Sequence, residues 1–201
     1  MPFDHNDHYH RLLLRQLPPG CRTALDVGCG TGRFAGTLAA RGIEVDALDP
    51  DAWVIEAARR AHPGPRYRCE DVTAARLPAG RYDFISCLAS LHHVPFATVT
   101  ALRAALAPGG VLAVLGCYRE ATLADRAWSL AAVPANTAAR VAVSAADRVR
   151  GVAAPPRPPV AEPGMTLAEI RAESARLLPG SRLRRLLFWR YLLVYRAPHG
   201  G

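Results

Sequence analysis

The chain has 201 residues, half of them hydrophobic, which suits one folded domain with a sizeable core and excludes a wholly disordered protein. Its net charge of +8 comes from arginine alone, since the sequence contains no lysine. Those arginines are scattered rather than clustered, which argues against a nucleic-acid partner; Arg182, Arg184 and Arg185 are the densest group.

Five cysteines, at positions 21, 29, 69, 87 and 117, show no metal-ligand spacing, and no metal is expected. Several sit in apolar runs, so buried reduced thiols in a cytoplasmic protein are expected instead of disulfides. No signal peptide and no run of about 18 apolar residues is visible, so neither export nor a membrane span is expected.

Residues 1–22 read as an N-terminal cap. His8, Tyr9 and His10 precede a helical run, Arg11 to Leu17, which Pro18-Pro19-Gly20 ends. The core then opens with a short apolar strand, Ala24 to Val27, followed by glycines at 28, 30 and 32 and a helical stretch from Phe34 to Ala40. Strand, glycine loop and helix together bring backbone amides up to a small polar ligand, and glycine removes the Cβ atoms that would block it. A dinucleotide fingerprint needs a small residue at the sixth position counted from Gly28, where this chain has Arg33. Asp26 would also repel a pyrophosphate.

Three more strand ends carry polar residues. Ile43 to Asp49 forms the second strand, and Pro50 ends it before a helix over Ala52 to Ala61. Asp49 lies roughly twenty residues beyond the loop, where βαβ folds use a carboxylate on ribose hydroxyls; capping the next helix is the other use for it. The third strand is read over Arg66 to Val72, and the fourth over Tyr82 to Leu88, leading into His92-His93. A helix over Ala101 to Ala107 is expected to stop at Pro108-Gly109-Gly110, with a fifth strand over Val111 to Gly116. Ligands of open α/β sheets sit outside the carboxyl ends of the strands. Asp26, Asp49, Asp71 and the stretch Cys87 to His93 all fall there.

The run Leu25-Asp26-Val27-Gly28-Cys29-Gly30-Thr31-Gly32 resembles the first motif of the class I S-adenosylmethionine-dependent methyltransferases, and Leu106-Ala107-Pro108-Gly109-Gly110 resembles their usual stop before the fifth strand. The resemblance implies a Rossmann-like three-layer αβα sandwich, with a mostly parallel seven-stranded sheet and an antiparallel C-terminal hairpin. It implies S-adenosyl-L-methionine as cofactor, bound by Asp26, Gly28, Cys29, Gly30, Asp49, Pro50, Asp71, Val72, Cys87 and Leu88. Asp71 would meet the adenine amine and Val72 would cover the ring. His8, Tyr9 and His10 would fold over the site from the cap. His92, or else His93, would act as a base or orient the acceptor, with a structural cap as the competing role for His92.

Four segments follow: cap 1–22, cofactor core 23–117, a helical and proline-rich insertion 118–165 over the substrate site, and residues 166–201 completing the core. Within the insertion, Ala124 to Ala132 and Thr137 to Val149 read as helices, and residues 153–159 as extended chain. Thr166-Leu167-Ala168-Glu169 has a capping-box spacing that opens a last helix through Leu178. The runs Arg182 to Leu187 and Tyr191 to Tyr195, joined tightly, can only pair antiparallel.

The function expected is methyl transfer, preferably O-methylation, to a small-molecule acceptor of specialised metabolism, by a monomer or homodimer. An RNA- or peptide-modifying methyltransferase, and a binder of the cofactor that transfers no methyl, stay open. A nicotinamide oxidoreductase is disfavoured by Arg33 and the hairpin.

Overall fold

The computed structural model describes residues 5–121, 163–187 and 189–199, with side chains from Tyr9 onward. Seven strands form one sheet: β1 (Thr23–Val27), β2 (Glu44–Asp49), β3 (Arg66–Cys69), β4 (Tyr82–Leu88), β5 (Leu106–Cys117), β6 (Arg182–Arg185) and β7 (Arg190–Arg196). Their order across the sheet is β3-β2-β1-β4-β5-β7-β6. The first five strands run parallel, and β7 is antiparallel to both β5 and β6. The helices are α1 (His5–Leu14), α2 (Arg33–Ala39), α3 (Ala52–Ala61), α4 (Val99–Ala105) and α5 (Leu167–Leu177).

Strands β1, β4 and β5 are apolar along nearly their whole length because both faces of a parallel sheet are covered. On one face Leu25, Ile85 and Leu112 meet Leu102 of α4 and Ile170 of α5. On the other, Ala24, Phe84 and Leu115 meet Leu13 of α1, Phe34 and Leu38 of α2, and Ile55 of α3. Among the described residues, no helix is long and apolar enough to cross a membrane.

The expected architecture is found, with local differences. Strand β3 stops at Cys69 rather than Val72, because Asp71 Oδ1 accepts from the Thr73 amide at 2.8 Å and turns the chain. Helix α4 ends at Ala105, and Pro108-Gly109-Gly110 lies inside β5 instead of in a loop. The residues after β7 hold that run: Gly109 N donates to Pro198 O at 3.0 Å, and Ala197 N to Gly110 O at 2.8 Å. The register with β4 slips between Tyr82 and Phe84, so these residues behave as a bulge. The first helix runs from His5 to Leu14, several residues earlier than its apolar run suggests. At α5 the capping box is present in full, Glu169 N donating to Thr166 Oγ1 and Thr166 N to Glu169 Oε2.

Of residues 118–165, only 118–121 and 163–165 are described, so the helices and proline-rich link read there lie outside the described residues. The two flanks do meet, with Arg119 N donating to Met165 O at 2.8 Å and Arg119 bridging to Thr166.

One glycine sets the approach of β7 to β5. Gly116 pairs with Tyr191, and a Cβ on Gly116 would sit 2.2 Å from the Tyr191 ring. The ring therefore lies over bare backbone and fixes the start of β7. Gly116→Ala forces the ring aside, and overpacking of this kind costs about 1–3 kcal/mol. Urea unfolding should show a loss in that range; an unchanged midpoint would contradict the packing described.

Candidate active site

The carboxyl ends of β1 to β5 share one edge of the sheet, and β7, being antiparallel, begins at that same edge. A cavity of about 460 Å³ opens there, within the size range of cofactor sites. Its walls come from the residues that follow β1, β2, β3 and β4, from α4, and from Cys117 and Arg190 at the adjoining ends of β5 and β7.

The glycine loop behaves differently from the simple expectation. Its amides at 28 and 29 both donate to Leu48 O, at 2.8 and 2.9 Å, and Gly32 N donates to Cys29 O at 3.0 Å. Gly30 N donates to Asp49 Oδ2 at 3.0 Å. These four N–H groups are engaged within the chain. What the loop offers the cavity is close backbone approach. Gly28 has φ +67°, and a Cβ there would lie 2.3 Å from Ser90 Cβ. Ser90 in turn donates through Oγ to Val27 O at 2.6 Å, tying the segment after β4 to the end of β1. At Gly30, with φ +53°, a Cβ would point into open space.

Beyond the loop, one half of the cavity is acidic. Asp49, Asp51, Glu70 and Asp71 all line it, with Val54 and Val72 between them. Asp49 is held on two sides, since Oδ1 also accepts from the Asp51 amide at 3.0 Å. Asp51, not Asp49, caps α3, accepting from the Trp53 and Val54 amides. The Thr73 amide and hydroxyl hold the Asp71 carboxyl below its ordinary range.

The other half is built from His92, His93, Thr98, Leu102, Cys117 and Arg190. His92 and His93 form a short 3₁₀ turn with Leu91, their rings 4.0 Å apart. Both ring nitrogens of His92 are buried, without a hydrogen-bond partner among the described residues. Burial, then His93, then Arg190 bring the His92 imidazole down to about 4, so it is neutral at ordinary pH. Arg190 donates through Nη1 to Cys117 Sγ.

Of the residues singled out in the sequence, Gly28, Gly30, Asp49, Pro50, Asp71, Val72, His92 and His93 line the cavity. Asp26, Cys29, Cys87 and Leu88 are not on its wall. Asp26 is 1% exposed and accepts from Ser86 Oγ at 2.7 Å; burial pushes its carboxyl up to about 7 despite that bond. Cys29 and Cys87 are buried thiols raised well above their usual range, again by burial first. In α1, Tyr9 is buried and donates to Leu187 O at 3.1 Å, and His10 lies 5.0 Å from the Phe34 ring; neither lines the cavity, and the His8 side chain is outside the described residues. The sequence reading missed Asp51, Glu70, Cys117 and Arg190. An acid immediately before an apolar helical run signalled Asp51. Arg190 had no local signal, because only the pairing of Cys117 with Arg190 brings it to this edge.

A family model described as a methyltransferase domain matches residues 4–146. An uncharacterized methyltransferase of Mycobacterium tuberculosis is 36% identical over 201 residues, covering 98% of each chain. A ubiquinone biosynthesis O-methyltransferase of Xanthomonas campestris is 34% identical over 131 residues, 61% of this chain and 52% of its own length. Among solved structures, a TehB-like S-adenosylmethionine-dependent methyltransferase from Corynebacterium glutamicum superposes with a TM-score of 0.60 at 16% identity, covering 94% of this chain and 86% of that one.

The state of His92 is measurable. Unfolded histidine titrates near 6.5, so the folded ring binds its proton later than the unfolded one. Its contribution to stability is present above about pH 6.5 and is lost as pH falls toward 4. Proton NMR should place the His92 ring midpoint near 4, and His92→Gln should flatten that part of the acid-side decline in stability; a midpoint near 6.5 would contradict the buried, unpartnered setting. With the glycine loop, the strand order and the matched domain in agreement, the chain belongs to the class I S-adenosylmethionine-dependent methyltransferases.

Proposed function

We propose that the chain methylates an oxygen atom of a small-molecule acceptor, with S-adenosylmethionine held in the acidic half of the cavity. The donor set suits that cofactor. Its ribose hydroxyls and adenine amine are hydrogen-bond donors, and Asp49, Asp51, Glu70 and Asp71 are acceptors. Each Asp49 oxygen already takes one backbone N–H, yet an ionised carboxylate has about four lone-pair sites, which leaves capacity for a vicinal diol. Val54 and Val72 supply apolar surface for a base, and the absent side chains of Gly28 and Gly30 allow close approach. When bound, the cofactor supplies a methyl group activated by a sulfonium leaving group.

What remains for the protein is alignment, which can account for about 7–11 kcal/mol of a barrier when the reacting atoms are held at near-contact distance. The single observation that carries the reading is His92. His92 lines the cavity, its two buried ring nitrogens have no hydrogen-bond partner among the described residues, and a neutral imidazole so placed can accept the proton of an acceptor hydroxyl once its ring turns toward it. The relation to a ubiquinone biosynthesis O-methyltransferase over 61% of this chain supports oxygen as the methylated atom.

The same proposal keeps the four-part organisation, with 118–165 completing the acceptor pocket. It is supported by the way residues 119 and 165–166 meet just beyond Cys117, itself on the cavity wall. Tyr9 and His10 then support the site indirectly, by bracing α2 and the hairpin rather than by touching ligand.

The test is release of S-adenosylhomocysteine with a panel of hydroxylated acceptors, with products identified by mass spectrometry. Wild type should yield an O-methyl product. His92→Gln should lower kcat about 10²-fold while leaving cofactor affinity within about twofold. Unchanged turnover would remove the role of His92, and methyl found on nitrogen or carbon would overturn the assignment to oxygen.

A further inference from the structure

We propose that Thr98 is a specificity-determining residue whose hydroxyl takes a second oxygen group of the methyl acceptor. That group is a hydroxyl or carbonyl on the same apolar frame as the hydroxyl that is methylated. The inference rests on the reading of the cavity as a joint cofactor and acceptor site, and it names the acceptor's chemical class.

It comes from a side chain that the fold leaves unused. Between β4 and α4 the chain makes two 3₁₀ turns, Leu91–His93 and Phe96–Thr98. The second runs straight into α4, so Thr98, with φ −53° and ψ −27°, is already helical. A threonine ahead of a helix ordinarily turns its oxygen back onto an amide of the first turn, and does so from an extended backbone. Here Phe96 O meets the Val99 amide, and the Thr98 side chain makes no capping bond. Its hydroxyl has no other hydrogen-bond partner among the described residues. Ser90, at the head of the first turn, also makes no capping bond, but its Oγ is engaged by Val27 O at 2.6 Å. Thr98 is half-buried and lines the cavity. Both His92 ring nitrogens are sealed within the chain, whereas Thr98 Oγ1 is not. Only the side chain is involved; the amides of α4 take no part.

The rest of this half decides what such a hydroxyl can meet. Leu102 lies four residues on, on the same face of α4, and Leu91 and Val94 line the cavity from the preceding turns. Cys117 Sγ accepts from Arg190, and the exposed His93 lies against the His92 ring. A neutral ligand therefore finds apolar walls and two side chains to bond: His92 for the hydroxyl that is methylated, and Thr98. Held at His92 alone, an acceptor would swing about one hydrogen bond. A second contact at Thr98 fixes its orientation, which is what alignment with the methyl group requires. A threonine hydroxyl both donates and accepts, so it suits an uncharged hydroxyl or carbonyl.

The test uses the full chain saturated with S-adenosylhomocysteine, whose own binding is measured first. The probes are catechol, resorcinol and hydroquinone, which carry a second hydroxyl at three spacings, beside phenol, which has none. Binding is read by NMR titration. At least one dihydroxy isomer should bind about fivefold or more tightly than phenol. In Thr98→Val that advantage should fall to about twofold, the statistical gain from two equivalent hydroxyls. Thr98→Ser should keep it. Affinity for S-adenosylhomocysteine should stay within about twofold in both variants. The urea midpoint of Thr98→Val should not fall, because the hydroxyl holds nothing within the chain.

Isomers that bind no better than phenol, including the case in which none binds, overturn the inference; so does an advantage that survives in Thr98→Val. Weakened S-adenosylhomocysteine binding in Thr98→Val would give the hydroxyl to the cofactor, and a lowered urea midpoint would give it to the fold; either result overturns the inference as well. If S-adenosylhomocysteine itself fails to bind wild type, the fault lies in the reading of the cavity and not in Thr98.

Discussion

The hydrogen bond from the Gly30 amide to Asp49 Oδ2, 3.0 Å long, joins the loop after β1 to the last residue of β2. Around it the Gly28 and Cys29 amides fold back onto Leu48 O. Ser90 reaches across from the end of β4 to Val27 O, against a Gly28 that has no room for a Cβ. Three neighbouring strand ends are thereby locked in one arrangement. A carboxylate in this position finishes the turn and also stands on the cavity wall. With the amides at 28, 29, 30 and 32 engaged within the chain, what the loop offers the cavity is close approach of backbone and neighbouring acids, an arrangement that suits a hydroxyl- and amine-bearing ligand better than a pyrophosphate.

The antiparallel β7 matters as much as the parallel core. In an all-parallel sheet every strand would begin at the far edge, away from the cavity. Because β7 runs backwards, its first residue, Arg190, stands beside the last residue of β5. Gly116 permits this by letting the Tyr191 ring lie flat on the backbone. The hairpin that closes the sheet thus brings a cation to an edge otherwise furnished with acids.

Much of this was legible in the sequence because it is local. Strand, glycine loop and helix, the acid ending the second strand, the paired histidines and the capping box at Thr166 each declare themselves within a few residues. Harder to read were features settled by partners remote in the chain. Pro108-Gly109-Gly110 looks like a helix stop, yet Ala197 and Pro198 pair with it and make it strand. Asp26 lies at a strand end as a ligand-binding acid would, but the sheet buries it and Ser86 holds it. Tyr9 sits in a segment suited to folding over a site, and is instead absorbed into the core beside α2. Arg190 was invisible for the same reason in reverse, since its neighbours on the cavity wall are some seventy to one hundred residues away in sequence.

The central claim is that the acidic strand ends hold the adenosine part of S-adenosylmethionine. Calorimetric titration of wild type and Asp49→Ala with S-adenosylmethionine and S-adenosylhomocysteine, with NADH as control, tests it most directly. The account predicts micromolar binding of both sulfur compounds by wild type, weakened about tenfold or more in Asp49→Ala through loss of charge-assisted hydrogen bonds. It predicts no comparable binding of NADH. Equal affinity in the variant, or a preference for NADH, would contradict it.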